Sequence, residues 1–454
     1  MTFTDDHLTT LVDPGLGNSA YLVDLGDGRG LAVDASRDLR ALYRAARSRG
    51  LRVAFAADTH LHADFLSGAL QLASDEGATV LASAAGNRDF AHTPLRDGDE
   101  LDLGGLTLRA LATPGHTDEH LSYLLRDGSR ELGVFTGGSL LVGSAARTDL
   151  LGAHRTEELA RAQYRSLRRL TALPDSTAVW PTHGAGSFCS APPGAERTTT
   201  IGAQKQHNAL LAAADEDAFV AALLGSLGSR PAYFDRLGEI NRRGPALLDG
   251  PPRPAPLSVG TVRTLLGQGA WLVDVRPVAD FAAGHVPGAV SLPLREQFAT
   301  WLGWLLPWDV PLVFVLGPGQ DADDVGRQAA KIGYDRVAGH LAGGMDAWVE
   351  GRGPVRTVEL VTAGEIGDRP VLDVRQQPEY AAGHLPGAAH TELGSPSLHT
   401  VPVTGASVVM CGHGERAMTA ASLLGRGDAP GPAVLTGGPH DWSRATGRPL
   451  EEGA

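Results

Sequence analysis

The chain has 454 residues, 43% hydrophobic and 20% charged, with a net charge of −13. That length exceeds one ordinary core and predicts about two to four globular domains. Such acidity, with no basic patch in the sequence, argues against nucleic acid and anionic membrane as partners.

The start, Met1-Thr-Phe-Thr-Asp-Asp-His7, has neither a basic region nor an apolar run, so a cytoplasmic protein is expected. Residues 1–110 alternate β-like runs at 19–23, 30–33, 53–56 and 78–81 with helical stretches at 39–49 and 68–76. Short strands separated by Gly and Asp turns predict a layered α/β sandwich rather than a bundle.

Thr59-His-Leu-His-Ala-Asp64 follows the apolar run 53–57 and packs two imidazoles and a carboxylate into five residues. This spacing at a strand end suits a turn around a cation, and makes His60, His62 and Asp64 candidate ligands. Further on, apolar runs lead into Thr113-Pro-Gly-His116, Phe135-Thr-Gly137 and Pro181-Thr-His183. Each candidate loop thus follows a strand, where a sheet scaffold presents chemistry.

Residues 196–248 read as a largely helical structural extension, and Pro251-Pro-Arg-Pro-Ala-Pro256 as a linker. The most apolar segment, 300–319, is interrupted by Pro307, Asp309 and Pro311 and is not a spanning helix. With Trp301, Trp304 and Trp308 it reads as an internal or subunit interface, and a homo-oligomer stays open.

Beyond the linker the chain repeats itself. Leu272-Val-Asp-Val-Arg276 and Gly284-His-Val-Pro-Gly-Ala289 recur 99 positions later as Val371-Leu-Asp-Val-Arg375 and Gly383-His-Leu-Pro-Gly-Ala388. Each copy later has a β-like run, at 311–316 and 407–410, and ends in a Gly-Gly element with a Trp, at 343–348 and 437–442. Two tandem α/β domains follow.

The chain has two cysteines, and with no export signal a structural disulfide is not expected, so each thiol is a candidate for chemistry. Cys411 stands in Cys411-Gly-His-Gly-Glu-Arg416, between an apolar strand and a helical run. Backbone N–H groups and a helix N-terminus aimed at such a sulfur favour its thiolate, and Arg416 adds positive charge.

The Asp-Val-Arg block, the cysteine loop and the Gly-Gly-x-x-x-Trp ending resemble the rhodanese family of sulfurtransferases. That resemblance implies that Cys411 carries sulfane sulfur as a persulfide, with Gly412, His413, Gly414 and Glu415 as its cradle and Arg416 assisting. The first copy has Leu316 where the thiol belongs. It is expected to serve packing or partner recognition.

The first half resembles the metallo-β-lactamase superfamily, an αββα sandwich, and more narrowly its persulfide dioxygenase branch fused to two rhodanese repeats. The implied domains are 1–248, 257–355 without the active cysteine, and 356–454 with Cys411. Phe65 stands where many superfamily members have another His, which implies one ion per chain. The branch holds Fe(II) on two histidines, matched by His60 and His116, and an aspartate, where this chain has Gly138.

Three outcomes are open for that site. His60, His62 and His116 hold a metal, Fe(II) or Zn, with help from water, Asp64 or His183. The domain is a vestigial scaffold without metal. Or a weakly held metal serves hydrolysis.

The expected chemistry is oxidation of a thiol persulfide to sulfite by O2, coupled to sulfur transfer through Cys411, with sulfite and persulfide combining as thiosulfate. The alternatives are a sulfurtransferase or a sulfur carrier or sensor with a vestigial first domain, or a metal-dependent hydrolase. Cys189 is a candidate thiol relay near the metal, Arg147 a candidate for substrate binding, and Asp34 reads as a structural loop acid.

Overall fold

The computed structural model describes residues 5–189, 196–402, 405–427 and 431–453. The chain divides into two compact units, residues 1–250 with 328–334, and 251–327 with 335–454. Among the described residues no helix is long and apolar enough to cross a membrane.

Two six-stranded sheets face each other in the first unit. One orders its strands as Leu8–Asp13, Asn18–Asp24, Arg29–Val33, Arg52–Ala57, Thr79–Ser83 and Thr93–Leu95. The other runs Thr199–Thr200, Ala178–Pro181, Arg130–Gly137, Leu121–Asp127, Thr107–Ala112 and Glu100–Asp102. Tyr21, Val23, Leu31, Tyr123, Phe135 and Trp180 fill the space between them. Alternate residues of the same strands meet helices outside: Leu22 and Val53 pack with Leu42 and Leu72, and Leu124 and Val134 with Leu167 and Phe219. The layers are therefore the expected αββα sandwich.

Helix Thr156–Leu170 is the longest element and has no counterpart in the sequence reading. Glu157 and Glu158 in its first turn and Arg168 and Arg169 in its last complement the helix dipole. Its inner face, Leu159, Ala160, Gln163, Ser166, Leu167 and Leu170, has helical spacing. The extension after residue 196 is helical as read, with Ile201–His207, Glu216–Gly225 and Phe234–Arg243.

The second unit holds two five-stranded parallel sheets of one topology. The first runs Pro256–Leu257, Val337–Leu341, Leu312–Val315, Trp271–Asp274 and Val290–Ser291. The second runs Leu360–Val361, Ala433–Leu435, Val408–Met410, Val371–Asp373 and Ala389–His390.

The repeated motifs have structural work. Arg276 donates to Asp274 at 2.6 Å and to the Gly284 carbonyl at 2.8 Å, and Arg375 does the same to Asp373 and Gly383 at the same distances. His285 stacks on Phe281 and His384 on Tyr380, at 3.9 and 3.8 Å between ring centroids. Segment 300–319 divides at its prolines into helix Phe298–Leu305 and strand Leu312–Val315. Trp304 donates to the Gly394 carbonyl at 3.2 Å, which uses this tryptophan between the repeats.

Candidate functional sites

Strand Arg52–Ala57 delivers the 58–68 loop at its carboxyl end, and Asn241 of helix Phe234–Arg243 clamps that loop. The Asn241 amide donates to the His62 and Phe65 carbonyls at 2.8 and 2.9 Å and accepts from Ser67 N at 2.8 Å. Buried Asp58 pairs with Arg88 at 2.9 Å and accepts from Ser67. Burial raises the Asp58 carboxyl above its usual range, and Arg88 opposes that rise. These contacts fix the backbone that carries His60 and His62.

Three imidazoles face a common centre. His60, His116 and His183 are at most 1% exposed, and one ring nitrogen of each lies within 4.8 Å of the others. The Thr59 hydroxyl donates to Asp34 at 2.8 Å, so it accepts the Nδ1 proton of His60, also at 2.8 Å. His116 Nδ1 donates to the Arg147 carbonyl at 2.7 Å, and its buried Nε2 has no hydrogen-bond partner. His183 Nδ1 lies 3.0 Å from Asn18 Oδ1 and 3.3 Å from Asp64 Oδ2, and its Nε2 lies 3.4 Å from His60 Nε2. The outward nitrogens are thus held by oxygens and the inward lone pairs converge, the arrangement by which outer hydrogen bonds orient metal-binding histidines.

Burial, then the neighbouring imidazoles, hold His60 far below the usual histidine value, and burial brings His116 down to about 3. Burial acts the same way on His183, but Cys189 and Asp64 beside it outweigh burial and raise it. Asp64 is held at about 2, because His183 and Asn18 overcome the effect of burial.

His62 stands apart from this trio, although the sequence groups it with His60 and His116. Its Nε2 lies 3.2 Å from Asp34 and its ring stacks on Phe65 at 4.1 Å. Its Nδ1 is buried without a hydrogen-bond partner, and His62, Asp64 and His183 form a second group with ligand atoms within 4.8 Å. Asp34 is more than a loop acid. Held at φ 52°, it accepts from Thr59 N, Thr59 Oγ1 and Thr182 Oγ1 and meets His62, joining three loops.

Gly138 donates its N–H to His120 Nε2 at 3.0 Å, and His120 Nδ1 lies 2.9 Å from Thr113 Oγ1. His120 therefore spends both nitrogens on the scaffold, stacked beside His60 at 5.0 Å. Gln163 accepts from His116 N at 3.1 Å and donates to the Ser139 carbonyl at 2.5 Å, tying both loops to helix Thr156–Leu170. His120, Asn18, Gln163 and Asn241 escaped the sequence reading; His120 carried a signal, four residues after His116 in the same loop.

Arg147, read as a substrate-binding candidate, is 2% exposed and has a structural set of partners instead. It pairs with Asp149 at 2.7 and 2.8 Å and donates to the Phe188 and Gly228 carbonyls, both at 2.9 Å. Those bonds brace the backbone whose carbonyl orients His116. Cys189 is 1% exposed and its thiol contacts the His183 side chain.

The second site lies in the last repeat. Cys411 follows strand Val408–Met410 and precedes helix Glu415–Leu424, and Gly414, at φ 92°, points its N–H at Cys411 Sγ over 3.1 Å. Arg416 pairs with Glu379 at 2.6 and 2.7 Å. Burial would raise Glu379, but the Arg416 guanidinium outweighs it and holds the carboxyl below its usual range.

Strand registers place Leu316 opposite Cys411. Asp274 pairs with Val315 and the equivalent Asp373 with Met410, and the next residues are Leu316 and Cys411. Leu316 to Asp321 separate strand from helix in the first repeat, against Cys411 to Gly414 in the second. Gln320 fills the longer turn, accepting from Gly317 N at 2.8 Å and donating to the Val275 carbonyl at 2.7 Å.

Comparison with known proteins agrees with both halves. The family described as rhodanese-like domain matches residues 258–351 and 358–445. The chain is 36% identical to a hydroxyacylglutathione hydrolase of Methylococcus capsulatus over 37% of this chain and 62% of that protein. It is 31% identical to the mitochondrial persulfide dioxygenase ETHE1 of Homo sapiens over 33% of this chain and 56% of that protein. The chain thus spans less than two thirds of either relative. A solved structure of a metallo-β-lactamase from Staphylococcus aureus, 28% identical, superposes with a TM-score of 0.65 over 74% of this chain and 98% of that one.

Proposed function

We propose that this chain, a metallo-β-lactamase-fold domain followed by two rhodanese-like domains, is a sulfur-handling enzyme that oxidises a thiol persulfide to sulfite in its first domain and transfers sulfane sulfur through Cys411 in its last. The observation that carries the reading is the Cys411 thiol, seated against Gly414 N at the head of a helix. Gly414 N–H and the helix N-terminus stabilise an anion on this sulfur, whether thiolate or persulfide.

A metal fits the first domain. The unpartnered, buried Nε2 of His116, facing His60 and His183, supports a single ion on these three histidines. Three imidazoles suit Fe(II) or Zn, with His183, which Cys189 and Asp64 favour in its protonated form, giving up that proton to the ion, and Fe(II) is the ion proposed. When bound, it supplies the redox chemistry that joins O2 to the terminal sulfur of a persulfide. The chain's own part is to hold that donor set: Thr59, the Arg147 carbonyl and Asn18 keep the Nδ1 sides occupied, and burial keeps His60 and His116 neutral. His183, whose outer nitrogen meets Asp64, takes the third ligand place. Cys189 beside it is proposed as the thiol that meets the substrate's sulfur.

Loading the protein with a sulfane donor and measuring thiocyanate released by cyanide tests the last domain. A signal equal in wild type and Cys411→Ser would overturn it. Metal content and oxygen uptake with a persulfide substrate test the first domain, and protein without metal and without uptake would overturn that half.

A further inference from the structure

We propose that Lys331, a residue of the repeat that has no cysteine, is a positioning residue for the three-histidine site of the first unit. The assignment rests on the reading of that site as one that holds a metal.

Residues 328–334 pack with the first unit, although in sequence they belong to the first repeat. They include the end of helix Ala322–Lys331. Lys331 is 5% exposed, and a lysine this buried needs partners. It has them on two separate loops: its carbonyl accepts from Leu66 N at 2.8 Å, and its Nζ pairs with Asp13 Oδ2 at 2.6 Å.

The carbonyl holds the histidine loop. Leu66 comes two residues after Asp64, and its own carbonyl accepts from Arg37 N at 2.7 Å. The Arg37 guanidinium donates in turn to the Ala330 carbonyl at 3.3 Å. Both main-chain polar groups of Leu66 are thus fixed, one of them by Lys331 directly.

The ammonium holds the other loop. Asp13 Oδ1 accepts from Gly15 N and Leu16 N at 3.0 and 3.2 Å, and the Asp13 carbonyl accepts from Gly17 N at 2.9 Å, which closes a turn leading into Asn18. This turn lies hard against the His183 loop. A Cβ on Gly17, at φ 72°, would stand 2.0 Å from Ser187 N, and the Gly17 carbonyl accepts from Gly184 N at 2.9 Å. Asn18 then donates to Asp64 at 2.8 Å and meets His183 Nδ1 at 3.0 Å. A largely buried carboxylate that loses its cation turns toward water, and from Asp13 that movement pulls on the turn that places Asn18. Lys331 therefore reaches His183 and Asp64 by two routes, through Asn18 and through Leu66. The repeat without a thiol gains a task in the other half of the chain.

Titration of metal-free full-length protein with Co(II), read by its visible absorbance, tests this. Lys331→Met should weaken Co(II) binding about tenfold, the lower end of the cost of losing an outer partner of a metal-binding histidine, and should shift the Co(II) bands. Lys331→Arg should recover part of the affinity. Asp13→Asn keeps an acceptor for the turn but loses the charge, so it should weaken binding in the same sense, and it carries the test should Lys331→Met fail to fold. The double variant should lose no more than the larger single loss, because both act through one bond. A residue that only supports the fold would lower the melting temperature of metal-free protein while the folded variants keep wild-type affinity and bands, and that result overturns the assignment alone. Wild-type protein without Co(II) bands, or with bands that survive His116→Ala, overturns the metal reading and the assignment with it.

Discussion

A Cβ on Gly138 would lie 2.2 Å from Cδ2 of His116, so the imidazole already fills the space a longer residue at 138 needs. The glycine and the inward turn of His116 belong together. An aspartate cannot be added here while His116 stays where it is.

Gly138→Asp is therefore expected to damage the site rather than restore it. Overpacking of about 1–3 kcal/mol should lower the thermal midpoint, and bound iron should fall. Calorimetry with metal analysis checks this; an unchanged midpoint with more iron would mean that His116 swings aside freely.

Added Fe(II) or Zn should raise the melting temperature of metal-free protein, since a ligand that binds only the folded state at a hundred times its Kd contributes about 2.7 kcal/mol. His116→Ala and His183→Ala should abolish the rise. His62→Ala should keep more of it, because one of its nitrogens is engaged with Asp34. Equal losses in all three variants would place His62 among the ligands.

Asp64 gives metal-free protein an acid limb. Its carboxyl is held at about 2 against an ordinary 3.8, because His183 and Asn18 outweigh burial. A carboxyl lowered by folding stabilises the fold above its unfolded value and stops doing so as pH falls through the folded one. Stability should decline from about pH 4 toward pH 2, and Asp64→Asn should flatten that decline in urea titrations across this range.

Gly414→Ala should cost about 1–3 kcal/mol, because φ 92° is left-handed backbone that a Cβ disfavours. The new Cβ would also meet the Leu435 carbonyl at 3.2 Å. Relief of that strain turns the N–H away from Cys411, so thiocyanate release should fall more than stability alone explains. A stability loss with full sulfur transfer would argue against this N–H as part of the cradle.

Leu316→Cys in a Cys411→Ser background should release no thiocyanate. The first repeat's turn is longer, and Gln320 occupies the position of the cradle. Activity from this variant would show that a thiol at the strand end suffices.

The repeat and its missing nucleophile were legible because motif and strand lie in fixed order, so the alignment that set Leu316 against Cys411 survives in the strand registers. The histidine motif was legible as a cluster but not as a geometry. His60 and His62 are two residues apart, yet one turns to His183 and the other to Asp34. Asn18, Gln163 and Asn241 act as single amides on distant elements, with no spacing to mark them. Asp34 depends on a left-handed backbone and donors from residues 59 and 182, which only the fold assembles. Helix Thr156–Leu170 did carry a legible period, and its inner face includes the residue that ties down His116.

The stacked His285 and His384, with the Arg–Asp pairs beside them, hold the two repeats by the same bonds although only one has a thiol after its central strand. Framework and reactivity are thus inherited separately in this duplication. Counting motifs gives two equivalents of scaffold per chain; counting nucleophiles in the aligned loops gives one, and a sulfane-sulfur titration of the C-terminal half should follow the second number.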